Sequence, residues 1–177
     1  MREWNVIEVL RHARHDWLNR LQLIKGYIAL GNLEKVDEIM NEIIHAAEQE
    51  LKLSNLTLSK FVSLLLTFNW EQHSFVLHYE VSSPRKLTNF NDEKIFQWFS
   101  NLFQIIDDYA DPIVQNDLYI EMNLEEDVLC FFIEFYGIIK ETEAIKQFLH
   151  KQTPSFSINS VNINPEALSF EIKIHGE

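Results

Sequence analysis

Arg11-His12-Ala13-Arg14-His15-Asp16-Trp17-Leu18-Asn19-Arg20-Leu21-Gln22-Leu23-Ile24-Lys25-Gly26 is the stretch from which the rest of the chain is read. Placed on a helix at about 100° per residue, Leu10, Ala13, Trp17, Leu21, Ile24 and Ile28 fall within roughly 40° of one line. That line is an apolar stripe in need of a partner helix. His15 lies about 160° from Trp17, on the solvated side. Its helical neighbours are Arg11 and His12 one turn before, and Leu18 and Asn19 one turn after.

The pattern predicts a first helix from Glu3 to Leu30. Gly31-Asn32 is a short turn, with Gly31 in the left-handed position and Asn32 capping the next helix. Leu33, Val36, Met40, Ile43, Ala47 and Leu51 then recur at steps of three and four, predicting a second helix that ends near Asn55. So short a turn between two long helices makes them antiparallel. A lone hairpin leaves an apolar face uncovered. Two copies can cover each other as a four-helix bundle, so a homodimer is expected. The competing arrangement lays the hairpin on the C-terminal half of its own chain.

After Asn55 the pattern changes. Phe61–Phe68 reads as a short buried helix, and Phe75–Val81 as a strand closed by Ser83-Pro84. Asp92–Tyr109 has helical spacing and Asp111-Pro112 ends it. Strands are expected at Leu118–Leu124 and Val128–Tyr136 around the acidic turn Glu125-Glu126-Asp127. A helix at Glu141–Leu149 is bounded by Pro154, and strands at Ser155–Ile163 and Leu168–His175 flank Asn164-Pro165. The fold class is therefore α+β: a helical hairpin over residues 1–56, then an α/β domain over 57–177 with about five strands and its helices on one face.

Composition narrows the function. A hydrophobic content of 46% fits a folded chain. A net charge of −12 argues against generic binding of nucleic acid or an anionic membrane. Residues 11–31 nevertheless carry Arg11, Arg14, Arg20 and Lys25 against Asp16 alone. Residues 32–50 carry six acids against Lys35. Such a basic island can steer an acidic partner, or it is an ordinary solvated face, and charge alone favours the latter. Cys130, the only cysteine, sits in an apolar run as a reduced core residue, which suits a cytoplasmic protein. Arg2, Glu3 and Glu8 break any leader-like run, and nothing approaches the ~20 apolar residues of a membrane span.

Arg14 to Gly26 resembles the phospho-accepting helix of two-component signalling proteins, and most closely the sporulation phosphotransferase B family of the phosphorelay in endospore-forming bacteria. Lys52-Leu53-Ser54-Asn55-Leu56 and Leu66-Thr67-Phe68-Asn69-Trp70 extend the likeness, which thins after residue 85. The resemblance implies a phosphoryl shuttle in sporulation initiation. The aspartyl phosphate of one response regulator passes to a histidine, and then to the aspartate of a second regulator. By position that histidine is His15. His12, about 60° away on the same broad face, is the rival, and spacing alone does not separate the two. Candidate partner contacts are Arg11, His12, Arg14, Asp16, Leu18, Asn19 and Gln22. Asp16 either bonds the ring by rotamer choice or is a surface carboxylate. Leu18 flanks the solvated face as a contact hydrophobe or as bundle edge packing. A neutral imidazole is nucleophilic near neutrality, and phosphoryl transfer needs in-line positioning and charge neutralisation above all. No metal-ligand spacing is present, so no cofactor of its own is expected, and Mg²⁺ arrives with the partner regulator.

Asn101–Ala110 is similar to the asparagine box of sensor-kinase ATP-binding domains. Ile105 stands where the family's magnesium-holding asparagine is expected, and the glycine-rich boxes are missing. Of Gly26, Gly31, Gly137 and Gly176, only Gly137 is placed where a nucleotide loop can use it. A phosphate cradle needs clustered glycines, so lost nucleotide binding is expected. An ATP-dependent kinase fragment and a non-catalytic regulator-binding adaptor are the alternatives.

Overall fold

A computed structural model describes residues 4–82, 89–125, 127–151 and 155–176. The expected closures at Ser83-Pro84, Glu126 and Pro154 lie outside these residues. The elements are α1 (Val6–Ala29), α2 (Leu33–Ser54), α3 (Ser59–Thr67) with a 3-10 turn at Phe68–Trp70, β1 (Val76–Val81), α4 (Asp92–Tyr109), β2 (Asp117–Glu125), β3 (Val128–Tyr136), α5 (Thr142–His150), β4 (Phe156–Asn164) and β5 (Ala167–His175). They form two compact units, Met1–Glu48 and Gln49–Glu177.

In the first unit, α1 begins three residues later than its periodicity suggests. The Asn5 side chain accepts from the Glu8 amide at 3.0 Å and the Glu8 carboxylate accepts from the Asn5 amide at 3.2 Å, a reciprocal cap that fixes the start. The helix ends as expected. Gly31 has φ +72°, the Asn32 amide reaches back to the Tyr27 carbonyl, and the Asn32 side chain caps the Lys35 amide at 3.1 Å. No residue of α1 is buried. Leu10, Trp17, Leu21 and Ile28 from the predicted stripe are each more than half exposed, as are Leu33 and Leu51 of α2.

The second unit takes in the last turns of α2, because Gln49 and Leu53 are buried there. Its five strands run in the order β1-β2-β3-β5-β4. β1 and β2 are parallel and the other pairs antiparallel. The parallel pair needs a long crossover, and α4 lies within it. Alternation places Leu118, Ile120 and Met122 of β2 and Leu168, Phe170, Ile172 and Ile174 of β5 in the core. Phe61 of α3, Phe99 of α4 and Phe131 of β3 meet at its centre, with ring centroids 4.8–5.6 Å apart. Cys130 is a free, buried thiol whose pKa burial pushes up.

Two polar devices join local structure to this core. The N-terminus of α3 has no side-chain cap of its own. Asp92 of α4 supplies one, accepting from the Lys60 and Phe61 amides at 2.8 and 3.0 Å. The outer edge of β1 is closed by amide side chains. Asn69 pairs with both backbone groups of Leu77 at 3.0 and 2.8 Å, and Gln49 accepts from the Val81 amide at 2.8 Å. An exposed strand edge is a template for unwanted pairing, and this one is occupied.

Gly137, the glycine that sequence reserved for a loop, serves packing. It has φ +152°, and a β-carbon there would collide with the Asn116 side chain. Asn116 is buried. Its amide donates to the carbonyls of Ser74 (2.7 Å) and Asp111 (2.8 Å), and its oxygen accepts from the Ile138 amide at 2.9 Å. Gly137→Ala should therefore lower stability by about 2–3 kcal/mol through overpacking and backbone strain. Urea unfolding measures this, and an unchanged midpoint would show that the close approach is dispensable.

Asp107, near the end of α4, anchors the entry to β1. It accepts from the Ser74 amide (2.5 Å), the Ser74 hydroxyl (2.6 Å) and His73 Nδ1 (2.8 Å). Burial pushes its pKa up, but the Ser74 bonds and His73 outweigh burial and hold the carboxyl below the usual range. A depressed pKa contributes stability above the unfolded value of about 3.9, and that stability is lost as pH falls through the folded value. Asp107→Asn should cost on the order of 1 kcal/mol at pH 7, and the difference from the parent should shrink by pH 3. Urea midpoints at the two pH values test it.

Candidate functional site

One turn of helix assembles the site. On α1, residues three and four apart are neighbours, so Arg11, His12, Leu18 and Asn19 surround His15, with Gln22 one turn further. The His15 side chain is 72% exposed. Asn19 Nδ2 donates to His15 Nδ1 at 3.2 Å, and Nε2 lies 3.5 Å away. Asp16 Oδ1 is 3.4 Å from the same Nδ1, beyond the range of a strong hydrogen bond.

The two contacts ask opposite things of one atom. An amide N–H needs the lone pair of Nδ1, whereas a carboxylate needs a proton there. Asn19 therefore favours the ring with its proton on Nε2. Asp16 favours the proton on Nδ1, which leaves the Nε2 lone pair free toward solvent. The helix thus holds the imidazole between two tautomers.

His12 differs from His15 in a way that spacing did not reveal. Its ring meets Trp4 edge-to-face with centroids 4.8 Å apart, and it is only partly exposed. Trp4 was not among the expected site residues. It precedes the N-cap Asn5, where an apolar side chain commonly folds back over the first turns, and that position was the available signal.

Arg11, Arg14, Leu18, Asn19 and Gln22 are exposed and Asp16 is half-buried. The structure brings Asp16 and Asn19 onto the His15 ring. It does not bring Arg11 or Arg14 there, and neither has an ion-pair partner among the described residues. His73 and His78 are held by Asp107 and Asp117, each at 2.8 Å. Among the described residues no group of three or more His, Cys, Asp or Glu is placed to hold a metal ion. No helix among them is long and apolar enough to cross a membrane.

Comparison with known proteins gives three kinds of match. Residues 1–56 match the family described as "Sensor_kinase_SpoOB-type, alpha-helical domain", and residues 57–175 match "Sporulation initiation phospho-transferase B, C-terminal". The chain is 33% identical over 141 residues to sporulation initiation phosphotransferase B of Bacillus subtilis (strain 168), covering 78% of this chain and 73% of that protein. Similarity to solved structures is remote. Acinetobacter baumannii histidine kinase AdeS matches at 14% identity and a TM-score of 0.47, over 92% of this chain and 98% of that one. Histidine kinase ThkA in complex with response regulator protein TrrA matches at 14% identity and 0.45, over 96% and 61%. A solved structure of a bacterial phosphotransferase matches at 11% identity and 0.42, over 97% and 98%.

Proposed function

Since the chain belongs to the sporulation initiation phosphotransferase B family, we propose that it relays a phosphoryl group between two response regulators through His15. The observation that carries this reading is the exposure of His15 on a rigid helix, set against the Trp4-engaged His12.

With its proton on Nδ1, facing Asp16, the imidazole attacks the phosphorus of a regulator's aspartyl phosphate through Nε2. The Nε2–P bond forms as the P–O bond to the aspartate breaks, and the electron pair leaves with that carboxylate. The resulting phosphoimidazolium keeps its Nδ1 proton against Asp16. The second regulator's aspartate then attacks the same phosphorus, and the imidazole departs neutral. Asn19, Arg11 and Arg14 then meet phosphoryl oxygens or the acidic rim of the visiting regulator. Magnesium belongs to the regulator's acidic pocket and no cofactor is needed on this chain.

The active form is a homodimer in which the apolar stripes of two helical hairpins cover each other as a four-helix bundle. The uncovered Leu10, Trp17, Leu21 and Ile28 support this. The α/β domain carries no nucleotide, since Ile105 replaces the expected asparagine and Gly137 is committed to Asn116. The protein works in the cytoplasm, where response regulators are phosphorylated.

The test is acid-labile label on His15 after mixing with a phosphorylated response regulator in the absence of ATP. Label that needs ATP supports a kinase instead, and no label at all supports an adaptor that only binds regulators.

A further inference from the structure

His12 and His15 carry the same reactive group, about 60° and 4.5 Å apart on one helix. A regulator displaced by one turn would meet His12 instead, so the helix alone does not decide which ring reacts. What differs is the cover. His15 is touched by two small polar side chains, Asn19 at 3.2 Å and Asp16 at 3.4 Å. His12 carries an indole, with the Trp4 ring at 87° to its own and the centroids 4.8 Å apart. An apolar residue ahead of an N-cap ordinarily packs on the fourth helical position, here Val9. The Trp4 ring meets His12, three residues further on. The entry that puts it there is fixed, because Asn5 and Glu8 are joined by three hydrogen bonds of 3.0, 3.2 and 2.8 Å. An acceptor nitrogen must come within about 3–3.5 Å of phosphorus, in line with the leaving oxygen. A ring crossed by an indole brings both bulks to the mouth of a regulator's pocket.

We propose that Trp4 is a positioning residue that selects the phosphoryl acceptor: packed across His12, it withholds that imidazole and confines transfer to His15. The inference rests on the relay reading for its role in transfer, and on the Trp4–His12 contact for its chemistry.

The first arm of the test needs no regulator. Potassium phosphoramidate phosphorylates imidazoles directly: its P–N bond breaks, ammonia leaves and a bond forms between phosphorus and a ring nitrogen. The full chain is treated and the labelled histidines are mapped by mass spectrometry, with the exposed His45 as reference. An edge-to-face ring pair shifts an equilibrium by about two- to tenfold. His12 should therefore react more slowly than His45 by about that factor. Trp4→Ala should bring His12 level with His45 and leave His15 unchanged, whereas a fraying helix start would alter both. Trp4→Phe keeps a ring at the contact and should keep His12 slow. The second arm uses a phosphorylated response regulator that labels the parent at His15. His15→Ala should take no label, and the double variant Trp4→Ala, His15→Ala should take it at His12. Equal rates at His12 and His45 in the parent overturn the proposal. So do a Trp4→Ala chain with no rise at His12, a Trp4→Phe chain that reacts like Trp4→Ala, or a double variant without label. A regulator that labels no histidine of the parent counts against the relay, while the phosphoramidate rates still decide the role of Trp4.

Discussion

Under the proposed relay, His15→Ala should abolish phosphoryl transfer between regulators and leave the fold intact. Removing the nucleophile removes the only covalent intermediate, so transfer should fall to background, a loss of at least about 10⁴-fold. The same substitution should change stability by less than about 0.5 kcal/mol, since the side chain is 72% exposed and its contacts are long. His12→Ala is the matched control. It loses the Trp4 contact but keeps the reacting ring, so label should still accumulate from a phosphorylated regulator. Transfer that survives His15→Ala and disappears with His12→Ala would reverse the assignment. Asp16→Asn separates proton placement from general folding. It keeps the size of the side chain and removes the charge facing Nδ1, so the rate should fall while regulator binding persists.

Leu21→Glu should convert the protein from dimer to monomer. Leu21 lies at the middle of the stripe and is 55% exposed in the single chain. In a four-helix bundle the carboxylates would have to be buried without partners, at a cost of several kcal/mol. That is about a thousandfold or more in the dimer dissociation constant. The single chain gives no competing reason for failure, because no residue of α1 is buried in it. Circular dichroism should therefore keep the signal of the sheet and its helices. Sedimentation equilibrium at micromolar concentration should give the dimer mass for the parent and the monomer mass for the variant. A parent that sediments as a monomer, or a variant that stays dimeric, rules out pairing through this face.

Much of this architecture is legible from side-chain periodicity. The limits of α4 and β3 coincide with the sequence expectation, because Asp111-Pro112 and the run from Val128 to Tyr136 leave little freedom at their ends. The start of α1 is less legible, since it is set by a capping box between Asn5 and Glu8 rather than by apolar spacing. Long-range pairings are harder still. Nothing near Gly137 in sequence announces that Asn116, twenty-one positions earlier (137 − 116), fills the space where a β-carbon would stand. At the site, the exposure of His15 follows from a helical angle. Its distinction from His12 does not, because it depends on a ring packed back across the helix start. The opposed demands of Asp16 and Asn19 on one nitrogen are a matter of rotamers, which periodicity does not reach.

The Gln49 side chain on the Val81 amide bears on where the chain can be divided. A fragment cut at the family junction before residue 57 loses that acceptor together with Leu53. Its first strand then offers a bare amide to any neighbouring molecule, and self-association by strand addition follows. A cut placed before residue 49 retains the plug, so the last turns of α2 join Asn69 in covering the outer edge of β1.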